Sequence, residues 1–145
     1  MKSRLAAERR KKKKIVFTNG CFDLLHVGHL KVFLECKKKG DVLVLGLNSD
    51  KSVRRLKGPG RPIVSENERA LLLAGLVPID YVTIFGQDTP EELIRLVKPD
   101  VLIKGGDWKK DEIVGRDIAK KVVRVPLIKG HSTSELIKRI VRRYG

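Results

Sequence analysis

Five short apolar runs, separated by longer stretches with helical periodicity, constrain the fold of this chain more than any other feature. They lie at residues 15–18, 42–47, 82–85, 101–103 and 122–125, without the polar alternation of a half-exposed strand. Such runs suit strands covered on both faces. Strands alternating with helices join in parallel through right-handed crossovers. The expected fold is therefore α/β: a Rossmann-like, doubly wound sheet of five parallel strands in a single domain. A length of 145 residues suffices for one domain with a substantial core. Ligands of such sheets bind beyond the carboxyl ends of the strands, near the point where strand order reverses.

The first run opens the stretch IVFTNGCFDLLHVGH at residues 15–29. The strand is expected to end near Thr18, and Gly20 permits a tight turn or a close approach to a ligand. From Gly28 onward, Leu30, Phe33 and Leu34 keep the spacing of one helical face, which puts His26 just before a helix and His29 at its start. The free amides of a first helical turn, with the positive end of the dipole, form an anion site, and Gly28 lets a phosphate come near the backbone. A lone histidine at a helix start is commonly only a cap or a surface residue. Here two of the three histidines in the chain flank one glycine directly after a strand, which suits a phosphate gaining charge.

Charge narrows the partners without choosing one. The net charge is +15, of which the first fourteen residues supply +7 through eight basic residues and one acidic residue. A basic balance fits nucleic acid, an anionic membrane surface or a small polyanion such as a nucleotide. The segment MKSRLAAERRKKKK lacks an apolar stretch long enough for a signal peptide or a membrane span, so a cytoplasmic protein is expected. Leu5, Ala6 and Ala7 suit the start of a short helix laid on the domain, and residues 11–14 suit a solvated lead-in to a domain over 15–145. No aromatic residue interrupts those charges, which disfavours stacking on single-stranded nucleic acid. Cys21 and Cys36 have neither zinc spacing nor a CxxC pairing and are expected to be reduced.

Further along, Ser49 or Asp50 is placed to cap a short helix containing Val53 and Leu56. The loop after it, RRLKGPGRP, carries Arg54, Arg55, Lys57 and Arg61, which serve either as a solvated surface or as a mobile clamp on phosphates. It is no Walker A loop, because no GK[ST] ends it, and no GxGxxG follows the first strand. Capping boxes are expected at Ser65 with Glu68, at Thr89 with Glu92 after Pro90, and at Ser132 with Glu135. The helix after Ser65 should bury its leucine side. Leu93, Ile94 and Val97 should face the sheet, residues 111–120 should be helical, and Leu136, Ile137, Ile140 and Val141 should form the buried stripe of a last helix.

The stretch TNGCFDLLHVGH resembles the signature of the HIGH-motif nucleotidyltransferases, the cytidylyltransferase-like superfamily, in which paired histidines hold a triphosphate. NSDKSVRRLKGPGRPI, ENERALLLAGL, DYVTIFGQDTP, KPDVLIKGGDW and STSELIKRI follow in the order found in one branch, the adenylyltransferases of ADP-heptose synthesis, and the similarity covers nearly everything after residue 14. The resemblance implies transfer of AMP from ATP to a sugar 1-phosphate, with Mg²⁺ held mainly by the phosphates, near Asp23 if any side chain takes part. His26, His29 and Lys57 would be catalytic. Thr18, Asn19, Gly20, Phe22, Gly28 and Arg61 would bind the nucleotide from one side, and Lys104, Gly105, Gly106 and Asp107 would line the base or ribose. Ser132, Thr133 and Ser134 would donate to the triphosphate, with Thr133 the foremost contact.

Several roles stay open. Asp23 either orients a histidine or supports the turn. Arg69 either approaches the phosphates or forms a surface ion pair, and Trp108 either stacks on the base or covers the core edge. Many members of the branch are fused to a sugar kinase, which this sequence lacks, so a separate kinase is implied, as is a homodimer. Rival activities are a cytidylyltransferase for glycerol- or choline-type phosphates, an FMN adenylyltransferase, and, from another class, a basic nucleic-acid-binding module without catalysis.

Overall fold

The computed structural model describes residues 1–106, 109 and 112–145. In chain order, α1 (Lys2–Arg10) precedes β1 (Ile15–Gly20), α2 (Val27–Lys37), β2 (Val42–Asn48), α3 (Asp50–Lys57) and α4 (Glu66–Ala74). Then come β3 (Tyr81–Phe85), α5 (Glu91–Val97), β4 (Val101–Gly105), β5 (Lys121–Val125) and α6 (Thr133–Tyr144). The strands pair in parallel in the order β3-β2-β1-β4-β5. From β1 the chain steps outward through β2 to β3, then returns to β4 on the other side of β1. Right-handed crossovers in opposite directions must run over opposite faces, so the sheet is doubly wound and its switch point lies between β1 and β4.

The strand residues divide accordingly. Val16, Leu43, Leu45 and Ile103 meet Phe33 and Cys36 of α2 and Leu73 of α4 on one face. Phe17, Val44 and Leu102 meet Leu5 of α1 with Ile94 and Val97 of α5 on the other. Burying each such side chain stabilises the fold by about 1.5–3 kcal/mol, which is why the central strands have no polar face. Leu5 is fully buried, and Arg9 donates to the carbonyls of Val97 and Lys98, capping the carbonyl end of α5. The basic lead-in is thus packed through α1, while residues 11–14 are exposed.

Several expected local features differ. β1 runs two residues past Thr18, because Asn19 and Gly20 continue the ladder opposite Gly46 and Leu47. Ser49 caps α3 by accepting from the Ser52 amide, and Ser65 with Glu68 forms the full capping box of α4. At α5 the cap position is Pro90, which has no side-chain cap bond, so the Thr89 box does not form. Residues 112–120 are turns rather than a helix; Gly115 has φ +87, and a Cβ there would lie 2.6 Å from Ile94 Cδ1, so tight packing on α5 dictates the local path. In α4 only Leu73 of the three leucines is buried, and Leu71 is 76% exposed. The apolar stripe of α6 is only partly covered: Leu136 and Ile137 are half-buried, while Ile140 and Val141 are 52% and 61% exposed. Among the described residues no helix is long and apolar enough to cross a membrane.

Candidate active site

The turn from β1 to α2 delivers the histidines to the carboxyl edge of the sheet. His26 is the N-cap of α2 in extended conformation, and its Nδ1 accepts from the Gly28 amide at 3.1 Å. An accepting Nδ1 carries no proton, so neutral His26 holds its proton on Nε2 as a donor. His29 stacks on it, with ring centroids 3.8 Å apart and planes 25° from parallel. Phe22, held at φ 46, meets the His29 ring edge-on at 5.2 Å and braces it from the core side. A Cβ at Gly28 would lie 2.9 Å from the His26 ring, so only glycine allows this close approach.

His29 Nδ1 is buried and has no hydrogen-bond partner among the described residues. Buried polar nitrogens are ordinarily paired, so this orphan points to a missing ligand. Burial, then the neighbouring His26, pulls the His29 pKa down to about 4, and burial followed by the His131 charge also lowers His26. Near neutral pH both rings are uncharged donors. The unfolded chain takes up this proton near pH 6.5, so the stability contributed by neutral His29 is complete above that pH and declines as pH falls toward 4. His29→Gln is expected to flatten that limb in a series of thermal melts against pH. An unaltered limb would assign it to other groups.

The start of α6 lies beside the start of α2. A Cβ at Gly28 would meet the His131 carbonyl at 3.4 Å, and Thr133 Oγ1 donates to the Leu24 carbonyl at 3.4 Å. Ser132 caps α6 by accepting from the Glu135 amide, while Ser134 is exposed. The hydroxyl proton of Thr133 therefore ties the two helix starts together, and its lone pairs remain open. A hollow of about 340 Å³ opens over the histidines, with Leu25, Phe33 and Leu76 in its walls.

The cations of the expected clamp separate into different duties. Lys57 ends α3 and is exposed, directly before Gly58 at φ 96. Arg61 Nε donates to Asp23 Oδ2 at 2.5 Å, and the amides of Ile63 and Val64 donate to Oδ1 at 2.8 and 2.9 Å. Burial alone would raise the Asp23 pKa, but the two amides and Arg61 outweigh it and hold the carboxylate ionised. Asp23 thereby fastens the loop over residues 61–64 rather than orienting a histidine. Arg69, 1% exposed, donates to the carbonyls of Val64, Cys21 and Asn48 and pairs with Asp50 at 2.7 Å. The expectation of a surface ion pair fails, since the side chain lies under the turn it ties down. Burial pushes the Cys21 thiol up in pKa, and the charges of Lys57, Arg69 and Arg61 pull against it. Sequence periodicity gave no signal for the full burial of Arg69.

Across the switch point, Thr18 is buried within β1 and Gly20, at its end, packs against the Phe22 ring. Lys104 Nζ donates to Asn19 Oδ1 at 2.5 Å, and burial lowers the Lys104 pKa to about 8. Gly105 leaves room for α2, since a Cβ there would come within 3.0 Å of Val32. The Gly106 amide bonds the Val125 carbonyl at 3.0 Å and is therefore engaged within the fold. Asp107 and Trp108 lie outside the described residues.

A sheet that reverses direction between β1 and β4, with helix starts gathered over its carboxyl edge, is the architecture of nucleotide-handling α/β domains. The cytidylyltransferase-like description matches residues 17–141, and the chain belongs to that family of nucleotidyltransferases. It is 54% identical over 144 residues to the Bifunctional protein HldE of Syntrophotalea carbinolica, covering 97% of this chain and 29% of the relative. With the proteins of the same name from Helicobacter hepaticus and Geobacter metallireducens the identities are 56% and 55%, over 91% and 97% of this chain and 27% and 30% of theirs. The chain thus spans under a third of the length of these relatives. Among solved structures, the lipopolysaccharide core biosynthesis protein from Thermoplasma volcanium is similar, with TM-score 0.69 and 31% identity over 81% of this chain and 99% of that one.

Proposed function

We propose that this domain transfers the adenylyl group of MgATP to a sugar 1-phosphate, heptose 1-phosphate by kinship with the HldE proteins, giving ADP-heptose and pyrophosphate. The observation that carries this reading is the orphaned, buried Nδ1 of His29 beside the Nε2 donor of His26, at two converging helix starts. An oxygen of the acceptor phosphate attacks the α-phosphorus in line, the bond to the bridging oxygen breaks, and pyrophosphate leaves with the electron pair. His26 and His29 donate to oxygens that gain charge in this step, and the amides at the start of α2 add fixed dipoles. Lys57, exposed at the end of α3, follows the charge onto the departing group. The binding of two phosphates side by side supplies the remaining catalysis through proximity.

Magnesium enters with the triphosphate as part of the substrate. Among the described residues no group of three His, Cys, Asp or Glu side chains is placed to hold a metal, and the Asp23 oxygens already accept from three donors. The acceptor phosphate must come from a kinase-type reaction, which this reading assigns to a separate activity. A homodimer belongs to the same reading, since the uncovered faces of α2 and α6 offer apolar surface at Val27, Leu34 and Ile140.

Pyrophosphate release from ATP and from CTP, measured across a panel of sugar, glycerol and choline phosphates, tests the proposal. The expected result is a preference for ATP and a sugar 1-phosphate. Preference for CTP with an alcohol phosphate would replace it, and salt-sensitive nucleic-acid binding without pyrophosphate release would overturn catalysis altogether.

A further inference from the structure

The chemistry above leaves Lys104 without a task. Its side chain is half-buried, its hydrogen bond goes to the neutral amide oxygen of Asn19, and no carboxylate among the described residues is paired with it. Taking an ammonium partly out of water without a counter-charge is unfavourable, and folds keep such groups where a ligand supplies the charge. The depressed pKa of about 8, a consequence of burial, agrees with an ammonium that awaits an anion. Cys21 is the titratable neighbour whose charge bears on it.

Position decides which anion. The histidines and α2 belong to the sheet face of Val32 and Phe33. Asn19 points to the opposite face: a Cβ added at Gly46 would meet the Asn19 Cβ at 3.2 Å together with Phe17 and Leu93, both of which belong to the α5 side. Lys104 reaches Asn19 from the neighbouring strand, so this cation sits across the switch point from the histidines. In-line displacement puts the entering oxygen and the leaving pyrophosphate on opposite sides of the α-phosphorus. With pyrophosphate at the histidines, the entering phosphate falls on the Lys104 side.

We propose that Lys104, held in place by the Asn19 amide, binds the phosphate group of the acceptor. This rests on the adenylyl-transfer reading and assigns the pair to the acceptor rather than to the nucleotide. Lysine suits the task because an ammonium with one bond to Asn19 keeps two N–H donors for phosphate oxygens.

The test uses inorganic phosphate as probe, titrated by calorimetry into the full chain saturated with the magnesium complex of α,β-methylene-ATP, which occupies the nucleotide site without reacting. In Lys104→Met, phosphate affinity is expected to fall about tenfold or more while affinity for the analogue stays within about twofold. In turnover, KM for the sugar 1-phosphate should rise by a similar factor with a smaller change in kcat. Asn19→Asp gives a second measurement that preserves shape: its carboxylate would neutralise Lys104 internally and weaken phosphate binding in the same way. Unchanged phosphate affinity in both variants, or a larger loss for the analogue than for phosphate, would overturn the proposal. If wild-type protein binds both probes yet releases no pyrophosphate with any sugar phosphate, adenylyl transfer fails, and the phosphate titration alone still judges the anion site at Lys104.

Discussion

Replacing His29 by alanine is expected to lower turnover about 10²- to 10³-fold, the scale of losing one preorganised donor to a developing charge. The fold should survive, because position 29 lies in the first turn of α2 and alanine is the best helix former. The lost contacts are those of a ring stacked on His26 and met edge-on by Phe22, which keeps its own packing on Phe33 in the core. The effect should appear in kcat at saturating substrate, since a donor that strengthens only as charge develops contributes little to ground-state binding. His29→Asn is the informative companion: its amide NH₂ can stand near the position of Nδ1, so partial recovery relative to alanine would identify the buried nitrogen as the working donor. Near-normal turnover of the alanine variant, measured by pyrophosphate release, would remove this ring from the mechanism.

The largest effect on stability is expected at Arg69. Arg69→Met keeps similar bulk but leaves the carbonyls of Val64, Cys21 and Asn48 without the donors they have now, and it strands the Asp50 carboxylate. Breaking one side of a buried ion pair costs about 3–5 kcal/mol. For a chain of this size that corresponds to a fall of roughly 10 °C or more in melting temperature. The carbonyls come from the end of β2, from the turn carrying Cys21 and from the loop before α4, so the loss should also loosen the approach to the histidines and raise KM for ATP. A fall under about 2 °C by circular dichroism would mean that water or relaxation replaces those bonds, and the turn would then owe its shape to Phe22 and Asp23.

Much of the fold was legible because parallel strands covered on both faces must be mostly apolar, and the runs of the inner strands β1, β2 and β4 have that character, while the edge strands β3 and β5 are partly exposed. The histidine pair was equally legible, since its spacing around Gly28 at a strand-to-helix turn leaves few conformations. The misjudged features share one cause. A periodic apolar stripe shows which side of a helix could be buried, but not whether a neighbour lies there, so Ile140 and Val141 of α6 were expected in the core and are exposed, as are Leu71 and Leu72 beside the buried Leu73 of α4. The expected helix over 111–120 gave way to turns at 112–120, where packing on Ile94 overrides a weak local preference.

The same division holds at the site. The sequence alone determined the alternation of strands and helices, the helix caps at Ser49, Ser65 and Ser132, and the placement of two imidazoles at a helix start, because each depends on residues a few positions apart. Tertiary structure alone decided that Arg69 is buried, that Asp23 holds the loop bearing Arg61, and that Lys104 meets Asn19 across the switch point. Those partners lie 19 to 85 positions apart in the chain. Their pairing depends on strand order and crossover hand, which bring distant segments to one edge of the sheet and set the half-buried ammonium of Lys104 against Asn19 there.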